Sequence, residues 1–183
     1  MSAARVVLLN GVGSVGKSSI ARALQAIASR PFLHVQMDAF IEMLPKAYLD
    51  HPDGLTFRTI EQDGKPSVVI SSGEVAGRAF HGMRRAIAAM AAEGNDLIVD
   101  DVLIGGAGDY DRLLAGVAFY KVGVFAPLDV LEERERRRGD RMIGLARWQF
   151  DRVHKEIRYD LEVDASIATP EACAELIRER FGL

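Results

Sequence analysis

Apolar residues along the chain fall into two patterns. Unbroken runs stand at Val6-Val7-Leu8-Leu9 and Leu97-Ile98-Val99, and a mostly apolar run covers Ala118–Phe125. Runs of this kind fit strands buried on both faces, as in a parallel sheet covered by helices. Elsewhere apolar positions recur at helical spacing: Ile20, Ala23, Leu24 and Ile27, and again Val75, Ala79, Met83, Ile87 and Met90. The pattern predicts strands over Arg5–Leu9, Leu33–Met37, Leu97–Asp101, Ala118–Phe125 and Tyr159–Asp164. It predicts helices over Ser19–Ser29, Ala39–Leu44, Gly73–Glu93 and Asp109–Leu114. A further helix opens at Pro127 and Asp129, and others cover Met142–Arg158 and Pro170–Phe181. Arg30-Pro31 and Pro45 close helices, and Gly94-Asn95 is a helix C-cap signal. Strands and helices in alternation make an α/β fold.

One stretch breaks the alternation. Residues 46–72 are irregular, with Thr56–Gln62 and Lys65–Ile70 flanking Asp63-Gly64, a hairpin turn pair. Pro66 marks an edge strand. The stretch reads as an excursion from the main sheet that forms one wall of a substrate site. Phe40, Met43, Leu44, Tyr48, Leu55 and Phe57 are its candidate apolar contacts, or else local core.

Between the first strand and the first helix stands Gly11-Val12-Gly13-Ser14-Val15-Gly16-Lys17-Ser18, followed by Ser19. It fits G-x-x-x-x-G-K-[ST] in the strand–loop–helix context that a P-loop requires. Gly11, Gly13 and Gly16 can take positive φ and let the backbone close around a phosphate. The inward N–H groups make an anion nest, and the helix start adds partial positive charge. Lys17 can reach the β- and γ-phosphates, and the Ser18 hydroxyl can ligate Mg²⁺. The pattern therefore implies nucleotide binding, with Mg²⁺ beside the phosphates.

Three further features gain meaning beside the P-loop. Asp38 ends the second strand, where chemistry gathers in open α/β sheets; it lies near the P-loop if the two strands are neighbours. It is a general base for the attacking hydroxyl or the N-cap of the next helix. Glu42, one turn on, holds Mg²⁺ or substrate or faces solvent. The strand Leu97–Asp101 ends in acid, so Asp100 or Asp101 is expected in the Mg²⁺ environment. The helix after Asp129 is rich in arginine. Some of that charge reads as surface pairing, Glu132 with Arg136 and Glu133 with Arg137. Arg138 and Arg141 flank Gly139-Asp140, where the helix breaks, and Arg134, Arg138 and Arg141 are candidates for phosphate in a lid over about 128–145. Arg78, Arg84 and Arg85 read chiefly as a solvated face, with contact to substrate as the lesser alternative.

Composition narrows the class. The chain has 183 residues, 49% hydrophobic and 27% charged, which suits one domain over 1–183 with a full core. The net charge of −3 offers no basic surplus for nucleic acid. The single cysteine, Cys173, falls in a helical pattern as a packing residue. His34, His51 and His81 show no metal-site spacing, and Trp148 and His154 read as structural. The first apolar run is too short for a signal peptide or membrane span, so no membrane partner is expected and the cytoplasm is the expected location.

With these segments in hand the chain resembles the chloramphenicol phosphotransferase-like kinases, within the wider set of P-loop small-molecule kinases. The resemblance is carried by VVLLNGVGSVGKSSIARALQ, MDAFIEMLP, GNDLIVDDVLIGG, RRRGDRMIGLA and YDLEVD, in that order along most of the chain. It implies a nucleoside-kinase-type five-stranded parallel sheet with helices on both faces and an arginine-rich lid. It implies ATP, Mg²⁺ and transfer of the γ-phosphoryl group to a hydroxyl of a small molecule. Asp38 would be the catalytic base, with Lys17, Arg138 and Arg141 acting on the transferred group. Chloramphenicol or a related antibiotic leads as acceptor, against another metabolite, a nucleoside or a nucleotide sugar. A nucleotide-binding switch with a protein partner is the rival from another class. Residues 48–72 do not closely follow the named antibiotic kinase.

Overall fold

The computed structural model describes residues 3–139 and 141–183. Asp140, expected at the helix break, lies outside the described residues. The chain runs β1 (Arg5–Asn10), α1 (Lys17–Ile27), β2 (Phe32–Gln36), α2 (Met37–Glu42), β3 (Leu55–Gln62), β4 (Lys65–Ser72), α3 (Glu74–Ala92) and β5 (Asp96–Asp101). It continues α4 (Gly108–Leu113), β6 (Ala118–Phe125), α5 (Leu128–Arg138), α6 (Leu145–Phe150), β7 (Leu161–Asp164) and α7 (Pro170–Phe181).

The five expected strands form one parallel sheet in the order β2-β5-β1-β6-β7. Alternation along β1 sorts its side chains between two apolar layers. Val7 and Leu9 join Ile20 and Leu24 of α1 and Ile177 of α7. Val6 and Leu8 join Met83 and Ile87 of α3 and Tyr110 of α4. Helices thus cover both faces, which is why the β1 run is unbroken. Among the described residues no helix is long and apolar enough to cross a membrane.

The excursion is a hairpin, β3 against β4, outside the main sheet. A small third core of Leu44, Leu55 and Ala76 seats it on α2 and α3. Its far strand is fastened to the segment before α6: Val68 N–H donates to Gly144 O at 2.9 Å. Gly144 has φ 100°, and a Cβ there would lie 2.5 Å from Pro66 O. Glycine is required at this crossing on both counts.

Several expectations shift. β5 stands between β1 and β2, so the P-loop strand and the Asp38 strand are not neighbours. Asp38 lies in the first turn of α2, whose cap position is Gln36, so it is not the N-cap. α1 opens at Lys17 rather than Ser19 and ends at Ile27. The helix expected over Met142–Arg158 is helical only over Leu145–Phe150; turns follow. There the Asn10 side chain captures Val153 O, and Glu156 takes φ 61°, so the chain turns back into β7 instead of extending a helix. Glu133 does pair with Arg137, and also with Arg136. Glu132 does not pair with Arg136; it turns inward to Arg147 and Lys65.

Candidate active site

The P-loop is pinned from behind. Asn10, fully buried, donates from Nδ2 to Val153 O (2.8 Å) and Tyr159 Oη (2.7 Å) and accepts Leu103 N–H at 2.8 Å. The loop's glycines are needed for different reasons. Gly16 takes φ 110°, but so does Ser14 take a positive φ, 65°, while Gly11 and Gly13 do not. Gly11 is there because a Cβ would lie 2.5 Å from Val124 O of β6. The N–H of Gly13 donates to Gln149 Oε1 at 2.7 Å, so α6 holds one of the nest amides.

Lys17 is buried, and its Nζ donates to Gly11 O (2.7 Å) and Val12 O (3.1 Å). It lies 3.8 Å from Asp100 Oδ1. Burial pushes the Lys17 ammonium below its ordinary range, and the charges of Asp100, Asp38 and Asp101 oppose that push. A buried cation held only by loop carbonyls and acidic neighbours, at the mouth of an amide nest, fits a polyanionic phosphate chain.

Asp100 and Asp101 are adjacent on β5 and therefore face opposite ways. Asp100 Oδ2 accepts the Ser18 hydroxyl at 2.5 Å, and His34 Nε2 lies 3.7 Å away. Burial pushes Asp100 up, yet His34, Lys17 and Ser18 together outweigh it and hold the carboxyl below its usual range. Asp101 accepts Tyr110 Oη–H at 2.8 Å and Val102 N–H at 2.7 Å. Burial dominates there and pushes its carboxyl up. The Ser18–Asp100 pair has the hydroxyl and ionised carboxylate that suit Mg²⁺ beside a nucleotide. Asp101 is committed to α4.

The three candidate arginines separate in the same way. Arg134 Nη1 donates to Val15 O (3.0 Å) and Nη2 to Ala165 O (2.7 Å), which ties α5 to the P-loop and to the turn after β7. Arg138 lines the cleft farther along α5. Arg141 reaches across it and pairs with Asp38. The intervening turn is stapled by Glu135, which is buried and accepts the N–H groups of Gly144 and Ala146, both at 2.8 Å.

The loop from Gly13 to Ser19, Asp38, Asp100, Asp101, Arg134, Arg138, Arg141 and Gln149 line one cleft of about 1410 Å³. A pocket for one drug-sized ligand spans roughly 300–1,000 Å³, so this cleft has room for two substrates side by side. Its other end is apolar. The face of the hairpin formed by Leu55, Phe57, Ile70 and Ser72 lines it, with Ile41 of α2, Phe80 and Met83 of α3, and Ile104. Of the expected wall contacts, Leu55 and Phe57 are in place; Leu44 is core and Met43 is exposed.

Sequence reasoning missed two contributors and underweighted a third. Gln149 carried no motif. The turn Ala165–Pro170 lines the cleft beside Arg134 and shows in the sequence only as a strand end before a proline. Arg84 lines the cleft, in keeping with the lesser of its two readings; its position directly after Met83, at the edge of the apolar stripe, was the available signal.

The sequence profile described as chloramphenicol phosphotransferase-like protein matches residues 4–182. The chain belongs to this family. A Mycobacterium tuberculosis protein provisionally named as an O-phosphotransferase is 34% identical over 186 residues, covering 98% of this chain and 81% of that protein. Solved structures share the fold of this family member at low identity. The Mycobacterium tuberculosis APS kinase, in complex with AMPPNP and APS, aligns at TM-score 0.66 and 16% identity over the whole of both chains. A sugar kinase from Janibacter aligns at 0.62 and 17%, covering 98% of this chain and 95% of that one.

Proposed function

We propose that this small-molecule kinase transfers the γ-phosphoryl group of ATP to a hydroxyl of an acceptor with an apolar body, the class to which chloramphenicol belongs. One observation carries the reading: Asp38 stands in the same cleft as the buried Lys17, between the P-loop and the apolar wall, and faces a lid arginine. Asp38 takes the acceptor's hydroxyl proton as the oxygen forms its bond to the γ-phosphorus and the β–γ bridge bond breaks. ADP is the leaving group. Lys17, the P-loop amides and Arg138 hold the phosphates, and Arg141 exchanges its pairing with Asp38 for the transferred group. Ser18 and Asp100 would hold Mg²⁺, which supplies charge neutralisation across the phosphates. Most of the rate comes from positioning and charge, because phosphoryl transfer leaves the protein little covalent work.

The test is ATP turnover with Mg²⁺ across a panel of hydroxylated compounds, chloramphenicol included, read by mass spectrometry for a gain of one phosphoryl group. Asp38→Asn is expected to bind nucleotide almost unchanged while transfer falls by roughly 10²–10⁴-fold. Transfer at an equal rate in Asp38→Asn removes the base assignment. A stoichiometric complex with a protein, with no acceptor stimulating turnover, favours the nucleotide-binding switch.

A further inference from the structure

The acceptor end of the cleft is apolar except for a few groups, and one of these is a cation without an evident duty. Arg84 projects from α3 beside Met83 and is half-buried. Its Nη1 donates to Asp109 Oδ2 at 3.0 Å, and its guanidinium carbon lies 5.8 Å from the centre of the Tyr110 ring. These contacts hold the head group in place. Its Nε, by contrast, is buried and has no hydrogen-bond partner. A buried N–H without an acceptor is costly, and Nε with Nη2 forms the side-on fork that takes a carboxylate through two bonds.

Asp109 is a shared partner: it also accepts from Arg112 Nη2 at 2.7 Å and lies 3.8 Å from His81 Nδ1, so it is not devoted to Arg84, while the charge of Asp101 reaches Arg84 from the other side of Tyr110. Arg84 and Ile104 also line a second cavity of about 450 Å³, which holds Arg112 and the turn Gly105-Gly106-Ala107-Gly108. Gly105 and Gly106 both have positive φ, 89° and 92°. Arg84 therefore stands where the apolar acceptor wall gives way to a polar annex.

Resting on the kinase reading above, we propose that the acceptor is a monoanionic alcohol: an apolar body against Phe57, Ile70 and Phe80, its hydroxyl at Asp38, and a carboxylate on the Nε–Nη2 edge of Arg84. A polyol finds few partners on that wall, and desolvating its hydroxyls there is unfavourable. A dianion meets the added repulsion of Asp100 and Asp101, which line the same cleft.

The experiment uses the full chain saturated with Mg²⁺ and ADP, so that anions cannot occupy the P-loop. Mandelate and 3-phenyllactate are titrated against mandelamide and 3-phenyllactamide, in which a neutral amide of nearly the same shape replaces the carboxylate. Binding is read by calorimetry and by fluorescence of Trp148, which lines the cleft. The acids are expected to bind about tenfold more tightly than the amides, as for one charge-assisted hydrogen-bonded contact. Arg84→Gln abolishes the difference, and Asp109→Asn, which releases Nη1, widens it. Equal affinity of acid and amide in the wild type overturns the proposal. So does a preference that survives Arg84→Gln, or the absence of saturable binding by either acid. With ATP in place of ADP the same compounds and chloramphenicol are scored for phosphorylation. Faster phosphorylation of the neutral compounds overturns the anion subsite and leaves the kinase reading intact. Arg84-dependent binding with no phosphorylated product supports the subsite and counts against the kinase reading instead.

Discussion

On the nucleotide side of the cleft, Gly11–Ser19 supplies the turn, the amides, the ammonium and the hydroxyl from one contiguous stretch, at the end of a strand buried in the middle of the sheet. On the acceptor side, α2, both strands of the hairpin, α3 and the turn after β5 each lend one to four side chains. The first half is a backbone site: what it binds is decided by where amides point. The second is a side-chain site, decided by which residues happen to face inward once four separate segments have packed. A backbone site tolerates few sequences and leaves a readable pattern. A side-chain site can change its ligand with one or two substitutions and keep the fold.

Two substitutions test that separation. Lys17→Met removes the cation of the backbone site and is expected to lower kcat/KM by roughly 10²–10³-fold for every acceptor, as for loss of one preorganised electrostatic group. Phe57→Ala removes a ring from the wall. It is expected to raise the acceptor KM by about tenfold while the ATP KM stays nearly constant, since burying such a side chain is worth about 1.5–3 kcal/mol. Steady-state kinetics in both substrates checks the pair. Equal damage to both KM values in Phe57→Ala would mean that the hairpin acts on the lid through the Val68–Gly144 bond instead of on the acceptor.

The same division explains what could be read in the chain. The five strands, their parallel order class and the P-loop were visible because a buried strand shows as an unbroken apolar run and the P-loop has fixed spacing. Asp38 could be flagged but not placed, because its position depends on β5 inserting between β1 and β2, which no local pattern reveals. Gly11 was recognised for conformational freedom, whereas its constraint is the close approach of β6, a contact between residues far apart in sequence. The helix after Met142 was overextended because its apolar spacing continues past Phe150, while the turns there answer to hydrogen bonds from Asn10. Gln149 was missed, and Arg84 underweighted, for the reason that defines the acceptor half: single side chains with no local sequence motif.

Asp100 and Asp101 sharpen the contrast within one dipeptide. Asp100→Asn is expected to raise the Mg²⁺ concentration needed for ATP turnover. Asp101→Asn removes the charge that Tyr110 Oη donates to, at a buried position, and is expected to cost about 1–3 kcal/mol of stability. Its Mg²⁺ requirement should stay near that of the wild type. Thermal unfolding and an Mg²⁺ titration, run on both variants, separate the roles. Exchange of the two phenotypes would assign the metal to Asp101.

The smallest effect concerns the support behind the P-loop, and it depends on pH. His154 stacks on Phe125 with ring centroids 3.9 Å apart, and its Nδ1 lies 2.7 Å from Tyr159 Oη. Tyr159 Oη already accepts from Asn10 Nδ2, so its own proton goes to His154, which must be neutral at Nδ1. Burial first, and the charge of Lys17 second, push His154 from the ordinary 6.5 down to about 4. The unfolded chain therefore takes up this proton as pH falls through 6.5, and the folded chain does not until about 4. Stability is undiminished above 6.5, declines across that window, and stops declining from this cause below it. Since His154 is only half-buried, the decline should be modest. Tm measured between pH 7 and pH 4.5 should fall less steeply in His154→Gln than in the wild type. Because folded His154 stays neutral across that window, nucleotide affinity should hold through it and weaken only near pH 4, where protonation breaks the Tyr159 hydrogen bond and is felt at Gly11 through Asn10. Parallel Tm slopes in the two proteins would place the acid sensitivity elsewhere and leave the P-loop independent of what stands behind it.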